Sequence, residues 1–301
     1  AGVLLKLGTY GFLRFAIPMF PEAAGFFALP LMTLSVIGIV YGAMMAFAQS
    51  DIKKLVAYSS VSHLGFVMLG VFALNTEAVQ GAIFQMVSHG ISTGALFLLV
   101  GMIYERRHTR LIDDYGGIAK VVPVYATMFL IVTLSSIGLP ATNGFIGEFL
   151  ILAGTFQEAL GAQATGGFSY KVSMFVLGIG AASGIVLGAV YMLTMYRRVF
   201  FGEVRHKENE GLTDMSLREV LVMLPLIALI FIMGLMPGLF LGKMRTSVNA
   251  YIEQWRPRVE QVRDPPSAAS NASGALILPQ TAMDVRRGST LLEAHVEGEG
   301  V

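Results

Sequence analysis

Seven apolar runs, most long enough to cross a bilayer, recur along this chain, at about 1–20, 26–48, 55–74, 79–104, 121–156, 172–196 and 219–242. A helix needs about 20 residues to cross ~30 Å of hydrocarbon, and no single water-soluble core buries so many such segments. The pattern predicts an all-α polytopic membrane protein with about seven transmembrane helices. One run departs from the rest: 121–156 as a single straight helix would reach roughly 55 Å at ~1.5 Å per residue. Gly138-Leu139-Pro140 falls in its middle, so a discontinuous helix is predicted there, broken near 138–148. The 79–104 run carries Gly90 and Gly94 around a polar knot, Ser88 to Thr93.

Charge agrees with a lipid solvent. Only 14% of the residues are charged, against roughly 25% in a soluble domain. A formal net charge of +1 supplies no basic face for nucleic acid. The absence of cysteine excludes disulfides, thiolate metal sites and iron–sulfur ligation in this chain, and five scattered histidines form no metal-ligand pattern. If the protein serves a redox system, the electrons travel elsewhere. The first residue is Ala1, and the apolar run begins at once without a charged n-region and cleavage site. A signal peptide is therefore not expected, and the chain is expected to be a fragment lacking its upstream part.

Loop charges give orientation. Loops 49–54, 105–120 and 197–218 hold eleven Lys and Arg residues, whereas 21–25, 75–78 and 157–171 hold only Lys171. By the positive-inside rule the first set faces the cytoplasm. Seven spans then leave 243–301 on the outer side. Pro/Ser/Gly richness predicts that this tail is largely disordered from about 257.

Ionisable residues inside a bilayer are costly, roughly 2.5–3.5 kcal/mol each at the centre, and they usually mark ion pathways. Lys6, His63, His89 and Glu148 are the candidates. Glu148 is the one charged residue within 121–156, beside the expected break, where unpaired backbone groups and the side chains of Thr142 and Asn143 offer polar contacts. The competing reading makes it an acid at the start of the second half-helix, favoured by the helix dipole. His89 has Gln85 one turn before it and Thr93 one turn after, a polar stripe on one face. Ser59 lies one turn before His63. Histidine titrates near neutrality and suits a proton relay, though each could equally be a neutral histidine bonded between packed helices. Tyr10, one turn beyond Lys6, is a candidate hydrogen-bond partner. Lys6 could otherwise snorkel to the interface, and Arg14 fits an interfacial anchor. Asp51, with Lys53 and Lys54, suits an ordinary helix start.

Taken in order, AGVLLKLGTYGFLRF, AQSDIKKLVAYSSVSHLGF, QMVSHGISTGALFLLVGMIYERRHTR and LPATNGFIGEF closely resemble the subunit M family of bacterial proton-pumping NADH:quinone oxidoreductase, respiratory complex I, known as chain 4 in mitochondria. The resemblance runs from Ala1 to about Trp255. It implies fourteen transmembrane helices with two inverted five-helix repeats, of which this chain looks like the eighth helix onward. On that reading 1–20 is a linking helix, 26–196 the second repeat, 219–242 the final helix, and 243–301 an outer-side tail. The resemblance further implies a proton half-channel in which Lys6 links the repeats, His63 and His89 continue the row, and Glu148 ends it. FMN, iron–sulfur clusters and quinone would sit in partner subunits, with no cofactor in this chain. The expected partners are other membrane-arm subunits, the lipid bilayer and the missing N-terminal half, in a bacterial inner membrane. The family's first-repeat glutamate and lysine are absent, so this piece alone is not expected to pump. Two rivals remain: a subunit of an Mrp-type cation/proton antiporter, which shares the fold, and a non-conducting membrane scaffold in which the buried groups are interhelical glue.

Overall fold

The computed structural model describes residues 2–161 and 167–263. The residues beyond 263, where most of the expected tail falls, lie outside them, as does Ala1. Among the described residues the regular structure is helical, apart from one isolated bridge between Asp51 and Leu111.

The helices follow their start and stop signals. The first, α1 (Lys6–Gly11), continues through a π-helical turn, Phe12–Ala16, into a last turn Ile17–Met19. Pro18 cannot donate to the carbonyl four residues back; the chain widens here, and Ile17 N–H donates to Phe12 O. This helix is shorter than the expected 1–20 span and places Lys6 in its first turn. Next come α2 (Pro21–Phe47), with proline at its start, and α3 (Ile52–Ala73). Asp51 caps α3 by accepting from the amides of Lys53 and Lys54 (2.7 and 3.2 Å), which is the helix-start role. Asn75 caps α4 (Thr76–Arg107) through the Ala78 amide at 2.8 Å. After α5 (Pro123–Ser136) and α6 (Asn143–Leu160) come α7 (Phe168–Phe200), α8 (Leu217–Leu235) and α9 (Gly238–Arg263).

The expected discontinuity lies between α5 and α6, and its chemistry is local. Gly138 adopts φ 73°, its amide donates to Ser135 O, and Leu139 N–H donates to Leu134 O at 3.0 Å. These two bonds form a Schellman stop, and Pro140 prevents the helix from resuming. Thr142 Oγ1 donates to Leu139 O at 2.6 Å, closing the turn before α6 begins.

Among the described residues, five helices are long and apolar enough to cross a membrane: α2, α3, α4, α7 and α8. The shorter apolar α5 and the more polar α6 together form the broken span. The chain is thus a multi-pass membrane protein. The three basic loops lie together on one side. Ile52 N–H donates to Arg110 O and Ile112 N–H to Ser50 O (2.9 and 2.8 Å), while Gly117 N–H reaches Phe201 O. Arg106 makes a bidentate pair with Glu219 (2.9 and 2.7 Å). Asp214 accepts from the first amides of α5, those of Val124 and Tyr125.

The C-terminal segment differs from expectation. The last span ends at Leu235, not near 242, and the region assigned to tail from 243 is helical through Arg263, past the point near 257 where order was expected to end. Tertiary bonds hold α9: Tyr251 Oη donates to Leu13 O (2.9 Å), Thr76 Oγ1 to Asn249 Oδ1 (3.2 Å), and Arg256 pairs with buried Glu158 (2.9 Å). Local composition favours disorder here, but contacts with α1, α4 and α6 offset the ordering entropy.

Candidate functional site

The apolar interior is divided into two layers. On α3 one cluster holds Ile52 to Val56 and the other Phe66 to Ala73; on α4 they hold Ala95 to Ile103 and Ala78 to Met86. On α7 the division falls between Ala181 and Tyr191. His63 and His89 sit between these layers. His63 lies eleven residues from the start of α3, about 16 Å along the axis, which is mid-depth for a span of this length.

Four buried ionisable side chains meet there, with relative exposures of 9% for Lys6, 4% for His89, 7% for His63 and 3% for Glu148. Lys6 Nζ lies 2.5 Å from His89 Nδ1. A lysine ammonium only donates, so Nδ1 accepts and the ring hydrogen sits on Nε2, which donates to Thr93 Oγ1 at 3.1 Å. The His89 and His63 rings lie 5.2 Å apart, centroid to centroid, at 60°. His63 Nδ1 donates to Glu148 Oε1 at 2.9 Å, and Gln85 Nε2 donates to the same oxygen at 3.1 Å. The order along the row is therefore Lys6, His89, His63, Glu148. Helices α1, α4, α3 and α6 supply one member each.

The helix break aims Glu148. Residue 148 lies in the second turn of α6, past the free amides of the helix start, and its bonded oxygen faces His63 and Gln85. The capping reading thus does not describe its contacts. Gly147 permits the close crossing of α6 over α4: a Cβ there would lie 2.8 Å from the Cβ of Gln85. Asn143 clamps the break to α4, donating to Ser88 O (3.2 Å) and accepting from Ser135 Oγ (2.5 Å) and Ser92 Oγ (3.3 Å).

The supporting residues sort themselves by contact. Gln85 and Thr93 bond members of the row. Asn143 and Thr142 shape the break. Ser59 donates to Val56 O at 2.8 Å, within its own helix, rather than to His63. Tyr10 is 48% exposed and packs edge-on against Phe15; Lys6 bonds His89 instead. Residues that sequence reasoning passed over include Tyr191, buried on α7 and lining a small cavity with His63 and Glu148, and the Ser135–Ser136 pair. A lone tyrosine in a greasy span carries no periodic signal. The ion pair Glu158–Arg256 was also missed, because its partners lie almost a hundred positions apart in the chain. Among the described residues no three His, Asp or Glu side chains assemble as metal ligands.

This fold and site define a class: a polytopic helical membrane protein with a row of four buried ionisable groups gathered in its interior. The family model for the transmembrane part of NADH:quinone oxidoreductase and Mrp antiporters matches residues 1–169, and the chain belongs to that family. NADH-quinone oxidoreductase subunit M of Rickettsia prowazekii is 48% identical over 249 residues, covering 83% of this chain and 48% of that protein. A chain of respiratory complex I from Thermus thermophilus superposes with a TM-score of 0.74 at 34% identity, covering 83% of this chain and 50% of that one. A chain of the Mrp complex from Dietzia sp. shares the fold, with a TM-score of 0.68 at 19% identity. The present chain spans about half the length of the relatives it matches.

Proposed function

We propose that this chain is the proton-conducting second half of a membrane-arm subunit of NADH:quinone oxidoreductase. The observation that carries the reading is the Lys6–His89–His63–Glu148 row, two hydrogen-bonded pairs whose imidazoles lie 5.2 Å apart, between two apolar layers. In this reading α1 within 1–20 is the linking helix, the five spans within 26–196 form one repeat, with the broken α5–α6 counted once, and α8 is the final span. The chain is a non-redox part of a translocase in a bacterial inner membrane. FMN, iron–sulfur clusters and quinone belong to partner subunits, and a further N-terminal half completes the path.

Redox chemistry elsewhere changes the charge at one end of the row. Charge arriving at one member changes the electrostatic cost of charge on the next, so a change at one end is felt along the row. A proton moving along the row and leaving from Glu148 toward the outer side completes a stroke. The substitution Glu148→Gln in the assembled complex preserves shape and one acceptor oxygen while removing the titrating group. It is expected to lower proton-coupled quinone reduction at least tenfold, about 1.4 kcal/mol on the barrier. Unaltered pumping and turnover would remove Glu148 from the path.

The identity to subunit M supports this reading over the Mrp-type antiporter, whose likeness here is one of fold. A scaffold role predicts that every member of the row can be made neutral without loss of turnover.

A further inference from the structure

Gln85 bonds the row on one side only. Its Nε2 donates to Glu148 Oε1 at 3.1 Å, while its own Oε1 is fully enclosed and accepts from no group among the described residues. Gln85 is 2% exposed, and a buried amide oxygen is seldom left without a donor. This oxygen lies against the backbone of α6: a Cβ at Gly147 would stand 2.4 Å from it. Only glycine leaves room for the amide there.

The same crossing fixes the rest of the side chain. The Cβ that Gly147 lacks would lie 2.9 Å from Gln85 Cα and 2.8 Å from Gln85 Cβ. About one turn earlier on α4, a Cβ at Gly81 would meet Gly147 O at 3.0 Å and Ile151 N at 2.8 Å. The stem of Gln85 is thus held by close backbone contacts. Its terminal torsion is of the broad, roughly two-fold kind, and a half-turn exchanges an oxygen for a nitrogen of similar size. With no second hydrogen bond to oppose the turn, Glu148 sets which atom of the amide faces it.

That choice depends on charge. A carboxylate only accepts, whereas a carboxylic acid carries one O–H that donates. The arrangement seen, with His63 Nδ1 and Gln85 Nε2 both aimed at Oε1, matches the anion. The neutral acid needs an acceptor, and the unbonded carbonyl of Gln85 is one half-turn away.

We propose that Gln85 is a positioning residue that turns its amide when Glu148 takes up a proton, so that Gln85 Oε1 accepts the acid hydrogen and holds it away from His63. The inference rests on the proposed proton path and gives direction to its last step. The step balances. An imidazolium at His63 gives its Nδ1 hydrogen to Glu148 Oε1; the N–H bond breaks, the O–H bond forms, and both groups end neutral with the remaining ring hydrogen on Nε2. Unmoved, the acid hydrogen points back at the Nδ1 lone pair and can return. Turned toward Gln85 Oε1, it is out of line with His63. Once the proton leaves Glu148, the carboxylate favours Nε2 again. Gln85 itself neither gains nor loses a proton.

The test is infrared difference spectroscopy of the assembled complex, isotope-labelled at the glutamine side-chain carbonyl and titrated through the protonation of Glu148. The ionisable groups facing Glu148 are His63 on α3 and Tyr191 on α7, with His89 on α4 and Lys6 on α1 beyond; α5 presents the uncharged Ser136. Loss of a band in Glu148→Gln assigns the acid, and loss in Gln85→Met, which keeps length without an amide, assigns the carbonyl. The Gln85 band is expected to move to lower frequency as the Glu148 acid band appears. Gln85→Met is expected to lower proton translocation about tenfold, ~1.4 kcal/mol on the barrier. A Gln85 band that stays fixed while Glu148 protonates, as a merely structural amide would, overturns the proposal, and so does wild-type translocation by Gln85→Met. Should that variant fail to assemble, the labelled wild type against Glu148→Gln decides, because the shift must vanish with the acid. The bands do not depend on pumping, so a moving Gln85 carbonyl with wild-type pumping by Glu148→Gln would refute the path and leave the switch standing.

Discussion

The buried His63–Glu148 pair offers a test of the site's energetics independent of transport. Glu148 Oε1 accepts from His63 at 2.9 Å and from Gln85 at 3.1 Å, in a carboxylate only 3% exposed. Replacing His63 with leucine strands that carboxylate on one donor, and breaking a buried pair from one side costs about 3–5 kcal/mol. Glu148→Leu strands the histidine and Gln85 Nε2 at a similar cost. Independent effects would sum to about 6–10 kcal/mol. The double variant instead leaves two leucines in contact, with Gln85 Nε2 the principal unsatisfied group at about 1–3 kcal/mol. A coupling of at least ~3 kcal/mol is therefore expected. Reversible unfolding of the four species in mixed detergent micelles, at one lipid ratio, measures it. Additivity within ~0.5 kcal/mol, as for distant sites, would refute the claim that these two side chains stabilise one another.

Three further outcomes follow from particular contacts. Gly138→Ala forces a Cβ into φ 73° and to 3.0 Å from Glu148 Oε2; a loss of about 1–2 kcal/mol is expected, seen as a lower thermal midpoint. Arg106→Lys keeps the charge but cannot reproduce the fork on Glu219 together with the bonds to Thr213 O and Asp214 O. It should cost about 1–3 kcal/mol and speed proteolysis of the 201–216 loop. Arg256→Ala removes the guanidinium from Glu158, which is 2% exposed, at about 3–5 kcal/mol; limited trypsin digestion should then cut first at Lys243 and Arg245 on the loosened α9.

Much of this architecture was legible in the chain because bilayer physics acts locally. Each span must satisfy its own backbone hydrogen bonds, so length and apolarity were enough to find α2, α3, α4, α7 and α8, and Gly138-Leu139-Pro140 carried its own stop. The high cost of a charge in hydrocarbon singled out Lys6, His63, His89 and Glu148 without any knowledge of their contacts. The amphipathic α9 was not legible, since its order depends on Tyr251 reaching Leu13 and Arg256 reaching Glu158. Nor were the roles of Ser59 and Tyr10, where spacing along a helix proposed partners that rotamer and packing did not supply.

Sequence alone therefore determined the solvent, the spans, the sidedness pattern of the loops and the identity of the four buried ionisable groups, because each follows from the transfer energy of a residue or a short segment. Tertiary structure alone decided their order, with His89 rather than His63 next to Lys6, and the gap between the two histidines that Ser136 borders. Those depend on how four helices cross, and crossing is set by close contacts such as Gly147 over Gln85 and Asn143 on Ser88, between residues that lie more than fifty positions apart in the chain.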